Sequence, residues 1–439
     1  MNFNRIFWQK YQRLNSEQRQ AVDTIDGPVM VVAGPGTGKT ELLSMRVANI
    51  LRETDTLPES ILCLTFTDSA AVNMRERLIK IIGSQASKVY IHTFHSFGTE
   101  VISHNPEYFF SGAKYMPADD LASIEILQSI FNTFDHDDPL NQHNSKEGWT
   151  YLDSIRSRIR DLKKEGITPE DFEQILDDNE TFISQARNII KDFFVGKINK
   201  VLLSKARQDL IEPLRQINFD EKQPNYSLKK LVIESLQKTV DEIEAQQNPS
   251  TTKLTSWRNS FCKVDEDKKY RLKADLNHKK YRSLARIYKK YQEGLHQSKL
   301  FDFEDMLFEV LKAFETYKEL RYNYQEQFLY ILVDEFQDTS GVQTKLIDML
   351  VDTKLTNNRP NLMVVGDDDQ SIFKFQGAYL KNILDFRKKY PTCQIITLTK
   401  NYRSKQTILD FASHFINNCE QRLADFPEIN KILISQVES

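Results

Sequence analysis

The stretch VMVVAGPGTGKT, residues 29–40, constrains this chain more than any other. An apolar, β-branched run ends at Ala33, a glycine-rich turn follows, and Lys39-Thr40 opens a helical pattern. Gly36 and Gly38 permit backbone conformations and close approaches that a Cβ would block, so successive N–H groups can converge on phosphate oxygens. Lys39 can reach the outer phosphates and Thr40 can offer its hydroxyl to Mg²⁺, with the positive end of the new helix beneath the charge. Ala33 stands where the strict pattern has glycine, a change small enough to keep the loop. The pattern predicts a nucleoside triphosphate site built from Ala33, Gly34, Pro35, Gly36, Thr37, Gly38, Lys39 and Thr40, with Mg²⁺ as cofactor.

Composition narrows the setting. A chain of 439 residues has room for about two to four domains. Only 14 glycines and 13 prolines argue against long linkers. The net charge of −3 shows no bulk basicity, so any nucleic-acid surface must be local. Four scattered cysteines without a CxxC pair read as reduced thiols. The polar N-terminus and the lack of a long apolar run predict a soluble, cytoplasmic protein with no membrane contact.

Short β-rich runs at 29–33, 61–65 and 89–93 alternate with helical spacing at 41–51 and 70–81, and the same grammar returns at 328–334, 362–366 and 395–398. This alternation predicts an α/β fold with a parallel, doubly wound sheet. From about 111 to 283 strand signals vanish and amphipathic helices such as SLKKLVIESLQKTVDEIEAQ take over. The sequence therefore predicts a sheet interrupted by an all-helical insertion, with polar loops near 135–147 and 246–252.

A phosphate loop needs an acidic partner at a neighbouring strand end, and FLYILVDEFQD supplies Asp334 and Glu335. Asp334 can hold Mg²⁺, and Glu335 can polarise an attacking water. In LMVVGDDDQSIFKFQGA, Gln370 is placed to touch the γ-phosphate, while Phe373 and Phe375 read either as core or as a platform for single-stranded bases. The runs TFTDSA and HTFHSF offer Thr65, Phe66, Thr93, Phe94 and His95 for phosphate and base contacts. His92 and His95 lack a third ligand at zinc spacing. The amide of Gln18 can pair with an adenine edge, Tyr402 can stack on the base, and Arg403 is a permanently charged phosphate donor.

In this order the segments closely resemble the UvrD/Rep family of superfamily-1 DNA helicases. LNSEQRQAV resembles the family's adenine-reading motif, AGPGTGKT its phosphate loop, LTFTDSAAVNMRERL and HTFHSF its DNA-contacting motifs, and VDEFQD its Mg²⁺ and water-activating motif. GDDDQSIFKFQGA is similar to the γ-phosphate sensor with its stacking aromatic, and LTKNYRS to the opening of the second motor domain. IYKKYQEGLHQSKLFDFEDML, with Asp302, Phe303 and Asp305, resembles the return from insertion to core. The resemblance implies two RecA-like P-loop NTPase motors with ATP between them, and translocation on single-stranded DNA from 3′ to 5′. The implied catalytic set is Lys39, Asp334, Glu335, Gln370 and Arg403, acting at single-stranded DNA and duplex junctions. The expected divisions are 1–110, first motor; 111–282, helical insertion; 283–390, first motor resumed; 391–439, start of the second motor.

Four departures stand out. Glu41 follows the phosphate loop where the family often has arginine, Phe375 replaces a tryptophan, and Gln376 replaces a coupling arginine. The sequence also stops at Ser439 before the family's last two motifs, which leaves three readings open: a helicase motor, an ATP-gated DNA-binding module without unwinding, or a helicase subunit of a helicase-nuclease. Because ATP in the family sits between two motors, this chain alone is expected to bind ATP weakly, to show little DNA-stimulated hydrolysis and not to separate strands. Residues 258–290 carry twelve Lys/Arg against four Asp/Glu, interleaved with Tyr270, Tyr281 and Tyr288. That stretch reads as a solvated helical face or as a contact surface for duplex phosphates.

Overall fold

The structure is a computed structural model that describes residues 3–109, 115–144, 148–246, 250–351, 359–370, 385–416 and 429–437. It divides into two compact units, one made of residues 1–114 and 303–439 and the other of residues 115–302. Elements of the first unit are labelled in chain order. Its sheet comprises β1 (Val29–Ala33), β2 (Ile61–Thr65), β3 (Tyr90–Thr93), β4 (Tyr330–Val333), β5 (Leu362–Gly366) and β6 (Gln394–Leu398), in spatial order β6-β1-β5-β4-β2-β3. Every pairing is parallel. Such strands need both faces covered, which explains why they read as unbroken apolar runs.

Alternation along each strand sorts these residues onto two cores. Met30, Val32, Leu62, Leu64, Ile331, Val333 and Val364 face one side, covered by α5 (Phe94–His104), α6 (Phe303–Thr316), α7 (Lys318–Gln327) and α8 (Gly341–Leu350). Val29, Val31, Cys63, Leu332, Val365 and Ile396 face the other, covered by α1 (Phe3–Tyr11), α2 (Ser16–Asp23), α3 (Lys39–Glu53) and α4 (Asp68–Ile82). The result is a three-layered α/β unit with β1 in the interior of its sheet.

The boundaries fall later than the sequence suggests. Residues 283–302 belong to the second unit, because Leu284, Ile287, Tyr288, Tyr291 and Leu295 of helix Lys273–Gln297 pack into that unit's core. Residues 391–398, expected to begin a separate domain, instead supply β6, which pairs with β1 from Val29↔Gln394 to Ala33↔Leu398. The second unit is built mainly of helices, and helix Pro169–Phe193 runs through both of its apolar clusters. It is not all-helical, however. Cys262–Val264 and Tyr270–Leu272 form an antiparallel hairpin, whose turn holds Lys268 at a φ of 60°. Charged residues dominate that segment and hid the two short strands. Among the described residues no helix is long and apolar enough to cross a membrane.

Arg46 of α3 is fully buried, and its guanidinium caps the end of α2. It donates to the carbonyls of Ala21 at 2.6 Å and Ile25 at 3.2 Å, and also to Thr24. Burial lowers its pKa to about 10, so it stays charged at neutral pH. Arg46→Leu should cost about 3 kcal/mol, since the carbonyls are left buried without a donor. Urea unfolding of the two chains, followed by circular dichroism, measures it.

Candidate nucleotide site

At the end of β1 the chain turns through Gly36 (φ 72°) and Gly38 (φ 88°) before α3 begins at Lys39. The Thr37 hydroxyl donates to the Gly34 carbonyl at 2.7 Å, closing the loop on itself. Gln18 braces it from α2: its Nε2 donates to the Thr37 carbonyl at 2.9 Å, and its Oε1 accepts from the Asn15 N–H at 3.1 Å. Both ends of the amide are therefore committed within the chain, where the sequence reading has them facing an adenine edge. Ala33 is buried at the strand end, and Thr40 lies partly exposed in the first turn of α3.

Asp334 and Glu335 follow β4, one strand removed from β1 across β5. The two loops nevertheless meet, because Lys39 Nζ lies 2.6 Å from Glu335 Oε2. Asp334 is buried, and one of its oxygens accepts from the Glu335 N–H at 2.9 Å. Burial raises its pKa to about 6, the Glu335 charge adds to the rise, and Lys39 opposes it. Glu335 adopts a φ of 48°, in the left-handed region, a conformation that costs a non-glycine residue about 1–2 kcal/mol. Gln337 holds it there, donating through Nε2 to Glu335 Oε2 at 2.7 Å.

Gln337 also reaches β5, since its Oε1 accepts from the Asp367 N–H at 3.0 Å. Only a glycine at 366 allows this, because a Cβ there would lie 2.8 Å from Gln337 Oε1. Beyond it, Gln370 donates through Nε2 to Asp367 Oδ2 at 2.7 Å. The segment 399–403 lies on the glycine loop: Asn401 Nδ2 donates to the Pro35 carbonyl at 2.5 Å, and the Tyr402 N–H to the Gly36 carbonyl at 2.9 Å. The Tyr402 hydroxyl accepts from Asn15 Nδ2 at 3.0 Å, and the Arg403 side chain is exposed. The structure thus gathers Gln18, Lys39, Asp334, Glu335, Tyr402 and Arg403 around one loop. Gln337 and Asn401 join them without having been singled out in the sequence.

The residues expected to meet nucleic acid divide. Phe66 is 49% exposed beyond β2, and the His95 ring stacks on the exposed Phe303 with centroids 3.7 Å apart. Phe94, expected as a base contact, is instead a core residue at 2% exposure, because the start of α5 turns it under the sheet. The hydroxyls of Thr65 and Thr93 are also committed internally. Thr65 donates to the Thr67 carbonyl at 3.2 Å, and Thr93 caps α5 by accepting from the Ser96 N–H at 3.1 Å. Phe373, Phe375 and Gln376 lie outside the described residues. Glu41 bridges Lys10 at 2.6 Å and Arg77 at 3.0 Å. Burial works against its charge, yet the two cations hold its carboxyl below the usual range. In the basic stretch 258–290 much of the charge is already matched, with Arg271 paired to Asp265, Arg282 to Glu180 and Arg286 to Asp138.

Comparison with known proteins bears on this site. The profile described as UvrD/REP helicase N-terminal domain matches residues 14–204 and 197–391, most of the chain. The chain belongs to that family. Among its relatives, ATP-dependent DNA helicase PcrA of Staphylococcus aureus is 29% identical over 410 residues, covering 93% of this chain and 40% of the relative. PcrA of Staphylococcus epidermidis is 29% identical over 412 residues, covering 94% and 41%. The chain thus spans about two fifths of the length of these relatives. In this UvrD/REP domain the Lys39–Glu335 pair and the bonds of Asn401 and Tyr402 to the glycine loop link the loop to the acidic strand end and to the 399–403 segment.

Gly36 has no room for a side chain, since a Cβ would lie 2.7 Å from Arg403 Cβ and 2.8 Å from Asn401 Nδ2, at a φ that already disfavours one. Gly36→Ala should therefore release the 399–403 segment and cost about 1–2 kcal/mol. Hydrogen exchange at the Tyr402 amide and a melting curve report the two effects.

Proposed function

We propose that this chain carries the ATP-binding and hydrolysing machinery of a DNA helicase, acting on single-stranded DNA. The observation that supports it best is the 2.6 Å Lys39–Glu335 pair. It joins a glycine-loop lysine to the carboxylate that follows a buried aspartate, a stored contact that a triphosphate would replace. The loop N–H groups and the start of α3 favour an anion at the same place.

The donor set fits Mg²⁺, a hard cation that takes oxygen ligands and only one or two carboxylates. Thr40 and Asp334 would hold it, and it would neutralise charge on the phosphate oxygens. The raised pKa of Asp334 has the same sense, for a buried carboxylate beside Glu335 calls for a positive charge. When Lys39 turns to the phosphates, Glu335 loses its ion-pair partner but keeps Gln337, which leaves it fixed and negative. It can then accept a proton from a water aligned on the γ-phosphate, the positioning and base work that phosphoryl transfer asks of a protein. Gln370 and Arg403 approach the same phosphate from β5 and from the 399–403 segment. Tyr402, held by Asn15, offers a face for the base.

Movement on DNA follows if the exposed aromatics Phe66 and Phe303 grip bases by stacking, which accepts any sequence. The resemblance implies travel from 3′ to 5′. Phe66 lies between β2 and the Thr67-capped start of α4, and Phe303 stacks on His95 in the first turn of the Thr93-capped α5, so both stand beside loops that leave the sheet edge proposed for the phosphates.

Three variants test the reading. Lys39→Ala should abolish Mg²⁺-dependent binding of a fluorescent ATP analogue while circular dichroism stays unchanged. With Glu335→Gln, assayed in a protein that also carries the second motor, the analogue should remain bound and phosphate release should fall by about 10²–10⁴-fold. Parallel loss of both would remove the proton-accepting role. Phe66→Ala should weaken binding of a labelled oligothymidylate by about 1–3 kcal/mol in fluorescence anisotropy, with no change in melting temperature.

A further inference from the structure

Lys431 is almost fully buried at 5% side-chain exposure, and two carboxylates surround its ammonium group. Its Nζ lies 3.0 Å from Asp367 Oδ1 and 2.8 Å from Asp369 Oδ2. Taking an ammonium out of water is costly unless it is paired. These carboxylates therefore dictate where Lys431 sits. Asp367 is itself 1% exposed and is used on every side: Oδ1 takes Lys431, Oδ2 takes Gln370 at 2.7 Å, and its N–H goes to Gln337 at 3.0 Å.

We propose that Lys431 is a positioning residue: it holds the 367–370 turn that carries Gln370 and couples it to the segment 429–437 on the glycine loop. The second half of this proposal rests on the nucleotide-site reading above. The segment is anchored close to the loop by contacts of its own. The Ile434 N–H donates to the Thr399 carbonyl at 2.8 Å and the Gln436 N–H to the Asn401 carbonyl at 2.7 Å. Leu433 lies so close that a Cβ at Gly34 would meet its Cδ2 at 2.9 Å. Lys431 is where this strand pair and the end of β5 are joined by charge.

An unbroken chain of hydrogen bonds leads to it from the phosphate loop. Lys39 binds Glu335 at 2.6 Å, Glu335 binds Gln337 at 2.7 Å, Gln337 binds Asp367 at 3.0 Å, and Asp367 binds Lys431 at 3.0 Å. Gln337 makes the chain directional. Its oxygen is fixed by the Asp367 N–H and its nitrogen by Glu335, so the amide cannot turn over to relieve a displacement at one end. A shift of Glu335 when Lys39 leaves for a phosphate is passed to Asp367, and through Lys431 to 429–437.

Hydrogen exchange on the 439-residue chain tests this, with and without Mg²⁺ and a non-hydrolysable ATP analogue, comparing Lys431→Met, Lys431→Arg and the milder Asp369→Asn. Without nucleotide, Lys431→Met should exchange about tenfold faster at 367–370 and 429–437 while β1 to β4 keep their protection. Affinity for the analogue should stay within about threefold, yet the analogue should no longer alter protection at 429–437. Lys431→Arg should restore that response, and Asp369→Asn should show the same pattern more weakly, which also serves if Lys431→Met does not fold. Unchanged exchange at 367–370, or equal loss across the whole sheet without rescue by arginine, overturns the proposal. An unmutated chain that ignores the analogue overturns the nucleotide-site reading and the coupling with it. In that case the nucleotide-free exchange still decides whether Lys431 holds the turn.

Discussion

A parallel sheet sends the carboxyl end of every strand to the same edge, and the first unit of this protein depends on that constraint. β1, β4 and β5 deliver the glycine loop, the Asp334-Glu335 pair and the Asp367 turn to one place, although Lys39 of the loop lies 296 residues before Glu335. The crossovers are free to be long, since only strand order and direction matter for what meets at the edge. That tolerance is what allows residues 115–302 to form a separate compact unit between β3 and β4 without disturbing the edge.

At this edge the energetics are those of charge held away from water. Asp334, Asp367 and Lys431 are all buried, and Glu335 is partly so. Each carboxylate has an N–H or ammonium within hydrogen-bond reach, and Gln337 joins two of the groups with a single amide. Burying such a set adds little net stability, but removing one member strands the others. The arrangement is therefore better at fixing geometry than at holding the fold together. The apolar layers on the two sheet faces carry the latter task.

Much of this was legible in the sequence because it depends on local rules. β1, β2 and β5 have the expected limits, since apolar runs bounded by turn residues mark buried parallel strands. The glycine loop and the acidic pair could be read for the same reason. What could not be read depended on which of two uses a side chain is put to, or on partners distant in the chain. Thr65 and Thr93 looked like ligand contacts because a hydroxyl before a helix has the same appearance whether it binds phosphate or caps the helix, and here both are used internally. Phe94 and Phe66 follow their strands alike, but a helix start buries the first and leaves the second exposed. The strand pattern at 395–398 is legible, but the expected boundary at 390/391 cuts it off from the first motor, because nothing within it reveals that its partner is β1. Lys431 had one available signal, a lone lysine in the apolar run INKILIS, which a pattern search treats as a surface residue.

The left-handed backbone at Glu335 has a consequence for how this protein can change. Selection for thermal endurance alone would favour glycine there, which accepts that φ without strain. Under the proposed function, the demand for a carboxylate would keep the strained residue in place. The position is thus a local ledger of stability against chemistry, and a lineage that no longer needed the chemistry would be expected to let this residue drift first, while the buried aspartate and the glycine loop still looked intact.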